Sequence, residues 1–292
     1  MATITPERAS GKGIAILLFA MLVLATMDAV NKLLVESYAI PQILWIRFAI
    51  FCVFALVWTR VNPITLMRSS KRPKLQLFRG FLLIFEIGIF ILAFSYLPLA
   101  DTHAIAATTP LIVTVLAIPM LGEKVGKHRW IAVGVGFAGA LVIIRPGFGM
   151  TDPAVLIAVL AAVVFALYQL LSRMVAVDPG RVTLVYTACV GFVVLSFVAP
   201  FFWGPMTAEH WGLMIFSGLL GAAGHFALIK AFEATDASAL QPFTYSLMVF
   251  AAIAGWVVFG HVPDVFTIGG AAIIAMSGIY VWHREMRVAG RG

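Results

Sequence analysis

The sequence predicts an all-α integral membrane protein of ten transmembrane helices built from two inverted five-helix repeats. Three observations lead there. Of 292 residues, 62% are hydrophobic and 11% charged, whereas soluble domains carry about 25% charged residues. The apolar residues fall into runs close to the ~20 residues needed to cross a bilayer. The two halves of the chain also close on similar segments. A large soluble protein with apolar core helices would lack the polar surface to stay dissolved, and no extramembrane domain of useful size is left over.

Taken in order, the spans read at 13–34, 40–59, 75–96, 101–121, 129–145, 153–173, 182–203, 209–231, 236–259 and 264–283. Each is bounded by charge, Pro or Gly. The first follows Arg8 and Lys12 as a signal peptide would, but its apolar run continues to about Leu34. That is too long for a signal h-region, so it is read as a span. The second ends at Arg60, and the third follows Arg68, Lys71, Arg72 and Lys74. The fourth opens at Asp101 and closes at Gly122. Lys124, Lys127 and Arg129 precede the fifth. Arg173 and Arg181 bracket the turn between sixth and seventh, Lys230 ends the eighth, and Arg284, Arg287 and Arg291 follow the tenth. These basic residues, with Arg8 and Lys12, all fall on one side of an alternating ten-span path. Glu36, Asp101, Asp152, Glu209 and Asp264 fall on the other, with Arg145 the exception. The positive-inside rule then places both termini in the cytoplasm, which for a bacterial chain means the inner membrane. The net charge of +7 is explained by this topology, so no nucleic-acid partner is expected. Cys52 and Cys189 sit inside apolar runs and read as small core residues, not as a disulfide or metal site. No zinc spacing, P-loop or dinucleotide fingerprint occurs, so no cofactor is expected.

Residues 99–143 and 235–281 are alike. Both open with small and polar residues and then Pro. Both close a helix at Gly (Gly122-Glu123, Gly260-His261) and continue through a Gly-rich helix. Five helices per unit is odd, so the second copy, 149–292, enters the membrane opposite to the first, 1–148. Such inverted repeats are a common ground plan for alternating access. Pro98 to Thr102 (PLADT), Thr109 to Leu111 (TPL), Leu121 to Lys124 (LGEK) and the Gly-rich closing helix resemble the EamA-type repeat of the drug/metabolite transporter superfamily. In the second half His261 stands where that repeat usually has Glu. The resemblance implies ten helices, inverted repeats and translocation through a central cavity. It leaves the substrate open, since relatives carry amino acids, nucleoside-like metabolites, vitamins and nucleotide sugars.

Ionisable groups inside spans usually face a protein interior or a water path. Glu86, mid-way along the third span, is a candidate proton carrier or cation-binding group, against a protonated Glu bonded to nearby backbone. Arg79, seven residues before it, shares its stripe of the helix and either joins it or snorkels to the cytoplasmic surface. On the first span Asp28, Asn31, Lys32 and Glu36 share a face. Lys32 is expected to pair with Asp28 and Glu36, and Asp28 with Arg47 of the second span, as a structural lock or an outer gate. Asn31 belongs to the same gate, as does His103, which equally suits a wet outer vestibule. Thr108 and Thr109 precede Pro110, which frees a carbonyl toward a cavity or merely kinks the helix. Tyr168 and Gln169 (sixth span), His225 (eighth), and Gln241 and Tyr245 (ninth) place polar and aromatic groups at similar depth, as a pocket would. His225 follows Gly218, Gly221 and Gly224, a stripe that permits close packing.

The sequence therefore reads as a secondary transporter for a small polar or amphipathic organic metabolite, alternating in access. Coupling to protons, uncoupled exchange or facilitation, and a channel stay open. An intramembrane enzyme is disfavoured, because no Ser–His or His–carboxylate spacing is evident. The expected partners are a small-molecule substrate and the bilayer, with protons as an open third. Substrate identity, direction and oligomeric state are not legible.

Overall fold

The structure, a computed structural model, describes residues 11–122, 126–144, 154–234 and 240–289. Among them the chain is helical and contains no strand. The helices are α1 (Gly11–Val35), α2 (Ile40–Thr59), α3 (Pro63–Arg68), α4 (Pro73–Phe94), α5 (Leu99–Ala106), α6 (Thr109–Leu121), α7 (Lys127–Ile144), α8 (Ala154–Met174), α9 (Gly180–Val198), α10 (Ala208–Ala234), α11 (Ser246–Phe259) and α12 (Val265–Ala289). Eight continuous or near-continuous helical stretches are long and apolar enough to cross a membrane. Trp130–Ile144 and Phe243–Phe259 are shorter and complete the ten spans. Prolines set many of the starts. Pro41, Pro63, Pro73 and Pro110 occupy the first helical turn of α2, α3, α4 and α6, where a missing N–H costs nothing.

Two departures from the expected spans matter for function. The fourth is broken into α5 and α6 at Ala107–Thr108. The ninth begins as a 3-10 turn, Gln241–Tyr245, before α11. Pro110 and Pro242 lie at these breaks and withhold backbone donors. The two breaks are equivalent. α6 runs 13 residues and α11 14 residues to a terminating glycine. Both glycines, Gly122 and Gly260, stand at φ 69°, the left-handed conformation that ends helices without a Cβ penalty.

The packing is symmetric between the halves. α1 packs on α10 and α11, while α8, its counterpart, packs on α4 and on α5 and α6. α2 packs on α10, as α9 packs on α4. α2 on α9, α5 on α11 and α7 on α12 each pair an element with its own counterpart. Directions agree with ten alternating passes. Along α1 and α10 the partners Asn31–Ser217, Met27–Gly221 and Leu24–Gly224 run antiparallel. Along α4 and α9 Gln76–Thr183 and Gly80–Val190 run parallel. The expected repeat boundary at 148/149 falls outside the described residues, as do Glu123 and Asp236.

Candidate functional site

A cluster of ionisable and polar side chains forms where α1, α2, α4, α5 and α10 meet. Glycines make the meeting possible. A side chain at Gly221 of α10 would touch Met27 Sδ at 3.1 Å and lie 3.6 Å from Arg47 Nε, and one at Gly224 would overlap Leu24. Arg47 therefore lies across bare helix backbone next to α1. It sits within electrostatic reach of both Asp28 and Glu86. Asp28 Oδ2 is 3.2 Å from His103 Nε2, an ion-pair distance without hydrogen-bond alignment. His103 is buried and met edge-on by Phe90, 5.3 Å between centroids, with Phe94, itself 4.9 Å from Phe90, at 6.0 Å. Phe90 stands one turn above Glu86 on α4. His103 is thus buried beside Asp28.

Glu86 is also buried, 7% exposed, so it faces protein and not acyl chains. Asn31, fully buried, accepts a hydrogen bond from Ser217 Oγ at 2.6 Å. Its amide nitrogen has no partner. His225 differs. It is exposed, yet Arg47 and Asp28 act on it electrostatically and Phe51 lies 6.3 Å from its ring. Lys32 departs from expectation. Its ammonium donates to the carbonyl of Phe94 and, at 2.9 Å, to that of Leu97. It caps the C-terminal end of α4, where orphan carbonyls and the helix dipole favour a cation. These carbonyls are nearer than Asp28 or Glu36, whose influence on Lys32 is only coulombic in the case of Glu36.

Arg79 belongs to a second network, toward the basic end of the bundle. It does not snorkel; it is 1% exposed. Nη1 donates to Tyr168 Oη at 2.8 Å, Nη2 to the Thr183 carbonyl at 3.1 Å and to Thr187 Oγ1, and Nε to Gln76 Oε1 at 3.4 Å. The guanidinium also lies over the Tyr168 ring, 5.1 Å from its centroid. Gln76 passes the network to Asp178 Oδ2 and to Thr183 Oγ1, both at 3.0 Å. Asp178, in the turn between α8 and α9, also accepts from Ser70 Oγ (2.6 Å) and the Lys71 N–H (2.8 Å). Burial pushes its carboxyl up, but the bonds from Gln76, Ser70 and Lys71 and the Lys71 charge outweigh this and hold it below the usual carboxylate range. The turn before α4 is thereby tied to the turn before α9.

The opposite end carries the counterpart. Gln42 makes two 3.0 Å bonds with the backbone of Gly204. Tyr38 Oη lies 2.7 Å from His210 Nδ1, and Trp45 Nε1 donates to Ser196 Oγ at 2.9 Å. Under repeat exchange α4 and α9 of the first set correspond to α10 and α2 of this one.

The expected pocket of the sixth, eighth and ninth spans does not assemble as one group. Tyr168 belongs to Arg79, and Gln169 is half-buried beside it. Tyr245 lies over Gly278, with its hydroxyl against the α12 backbone. Thr108 and Thr109 bond back to the carbonyls of Ile105 and Ala106. The side chain of Gln241 lies outside the described residues. Asp101, expected in an outer loop, is buried and accepts from Thr267 Oγ1 at 2.8 Å. Sequence reasoning missed Gln76, Asp178, Thr183, Thr187, Gln42 and Ser217. Only Gln42 and Gln76, long amides inside apolar helices, gave a signal. Two surface crevices of about 410 and 380 Å³, by Met67 and by Trp45, hold none of the central cluster.

The EamA-like transporter family matches residues 11–145 and again 152–282. Among similar proteins, an S-adenosylmethionine uptake transporter of Rickettsia felis is 27% identical, covering 96% of this chain and 95% of its own. A riboflavin transporter of Vibrio cholerae is 29% identical, with 94% of each chain covered. A pseudopaline exporter of Pseudomonas aeruginosa is 26% identical over 89% of this chain and 93% of its own. A solved crystal structure shares the fold with a TM-score of 0.64 at 17% identity, covering 94% of this chain and 99% of its own.

Proposed function

Because the chain belongs to the EamA-like transporter family and is a multi-pass membrane transporter of small metabolites, we propose that it works by alternating access around the Asp28–Arg47–Glu86–His103 cluster. The carrying observation is the position of Arg47 beside Gly221, within electrostatic reach of Asp28 and Glu86. Charges this deep are costly unless they are paired or used, and with two carboxylates facing one guanidinium the group holds an excess of negative charge. A proton carried on the buried Glu86 carboxyl balances it, so the cluster serves coupling as well as binding. Arg79, Tyr168, Asp178 and Gln76 form the inner gate, while Gln42, Tyr38 and His210 form the outer one. Each access state opens one and keeps the other. The units that move are the two repeats, 1–148 and 149–292.

The basic loops support an orientation with both termini in the cytoplasm and placement in a bacterial inner membrane. The substrate is a small organic molecule of the size range that the relatives' names span. Gln169, Thr108 and Tyr245 stand outside the cluster as assembled, and for them and for Gln241 a role in substrate contact is reserved for the state in which the broken fourth and ninth helices move. Saturable counterflow of labelled substrate in proteoliposomes tests the reading. Glu86→Gln is expected to flatten its pH dependence. Flux that never saturates identifies a channel, and an unchanged pH series removes Glu86 from coupling.

A further inference from the structure

We propose that the crevice beside α3 binds an anionic glycerophospholipid, with an acyl chain along its apolar wall and the phosphate on Arg68. The site is separate from the central cluster and requires no particular transported molecule. The crevice has a volume of about 410 Å³ and is lined by Ile64, Met67, Arg68, Pro73 and Tyr186. Three observations carry the assignment. The first is depth. α3 packs on α9, and Leu66 joins the hydrophobic core. Tyr186 lies six residues past Gly180, the start of α9, which is about 9 Å along the axis. From there it donates to the Met67 carbonyl at 2.9 Å. α3 is thus level with the ends of the spans, at the boundary of headgroups and acyl chains where amphipathic helices lie.

The second is the pattern on α3. Ile64, Met67 and Arg68 stand at i, i+3 and i+4, so they share one face. Ile64 is 59% exposed, apolar surface that a hydrocarbon chain covers and water does not favour. Arg68 ends the same face. It is exposed, and among the described residues no carboxylate pairs with it. A guanidinium fork matches two phosphate oxygens at once. Arg60, Lys71, Arg72 and Lys74, also exposed, crowd the same connection and draw anionic lipid toward it. The third is contrast with the crevice at the opposite end of the bundle. That one, about 380 Å³, is lined by Trp45, Ser196, Ala199, Pro200 and Trp203. It offers a slot of similar size and no cation. A hydrocarbon chain suits both, and a phosphate suits only the crevice by α3.

The test is photo-crosslinking of the full-length protein in phosphatidylcholine nanodiscs. A trace lipid carries a diazirine in its acyl chain and either a phosphatidylglycerol (anionic) or a phosphatidylcholine (uncharged overall) headgroup. Modified residues are mapped by mass spectrometry. The anionic probe is expected to label residues 60–74 and 180–190 at least about fivefold more than the other, the scale of one cation at a lipid surface. Residues 196–203, by the opposite crevice, should take both probes alike. Arg68→Gln, a surface change, should abolish the preference. Arg284→Gln, which removes another exposed cation from the basic end of the bundle, should leave it intact. Glycerol 3-phosphate, a headgroup without chains, should not compete. Equal labelling of residues 60–74 by the two probes, or no labelling there, overturns the proposal. So does a preference that survives Arg68→Gln. Equal losses in Arg68→Gln and Arg284→Gln overturn it in favour of general surface charge, and competition by glycerol 3-phosphate in favour of a soluble phosphate.

Discussion

A guanidinium inside a membrane protein needs oxygen atoms, and Arg79 finds four: Tyr168 Oη, Thr183 O, Thr187 Oγ1 and Gln76 Oε1. Each hydrogen bond to a charged group contributes about 1.5–3 kcal/mol, and removal of the donor strands acceptors in a dry site. Arg79→Gln is therefore expected to cost about 2–4 kcal/mol in SDS-titrated unfolding, and a cost under about 0.5 kcal/mol would contradict the network. Lysine is a poor replacement, because a point charge cannot reproduce the planar fork. Glu86, Asp28, Arg47 and His103 were legible in the sequence because charge in an apolar run is conspicuous. An Asp28–Arg47 pairing was read there too, but the approach of His103 to Asp28 and of Glu86 to Arg47 was not. Asp28 meets His103 across 75 positions, and Lys32 left its expected helical neighbours for carbonyls 62 and 65 residues away. Thr183, Thr187 and Ser217 carry no signal at all, since hydroxyls inside helices usually satisfy themselves on the previous turn.

At the scale of elements, helix contacts depend on bare backbone at a few points. A Cβ on Gly270 would lie 2.5 Å from the Gly139 carbonyl oxygen, whereas one on Gly269 meets nothing within 4 Å. Gly270→Ala should part α7 from α12 and lower stability by about 1–3 kcal/mol. Gly269→Ala should not, and equal melting of the two would show that this interface is loosely packed. The tie between the turns before α4 and α9 hangs on Asp178. Its depressed folded-state pKa means that its stabilisation is complete above the unfolded carboxylate value of about 3.9. That stabilisation is lost as pH falls through the lower folded value. Between pH 5 and 8 it is constant, so pH dependence of transport in that window belongs elsewhere. Asp178→Asn should speed hydrogen–deuterium exchange in residues 69–76 and 175–183 while residues 36–44 stay unchanged. Unchanged exchange at all three would remove Asp178 from the gate. The helix breaks were half legible. Pro110 and Pro242 announced them, but the length of the 3-10 turn Gln241–Tyr245 follows from packing on α12. The short helix α3 was not read from the basic loop, although Asn62-Pro63 starts it, with Asn62 Oδ1 accepting from Ile64 N at 2.9 Å.

For the whole molecule, parity carried the architecture. Ten passes and basic loops on one side were readable from charge alone, and the exchange-symmetric packing follows from two copies of one five-helix unit facing each other. Tertiary information the sequence lacked is the height at which the halves touch. That height separates the central cluster from the Arg79 network, although Arg79 and Glu86 share a stripe of one helix.

The account depends on an aqueous chamber at the seam of the halves. The most direct test is His225→Cys in a background with Cys52 and Cys189 replaced, labelled in sealed membranes by a membrane-impermeant thiol reagent. The account predicts labelling that a bound substrate slows. Labelling only by a lipid-soluble reagent, with no reaction from either aqueous side, would contradict it.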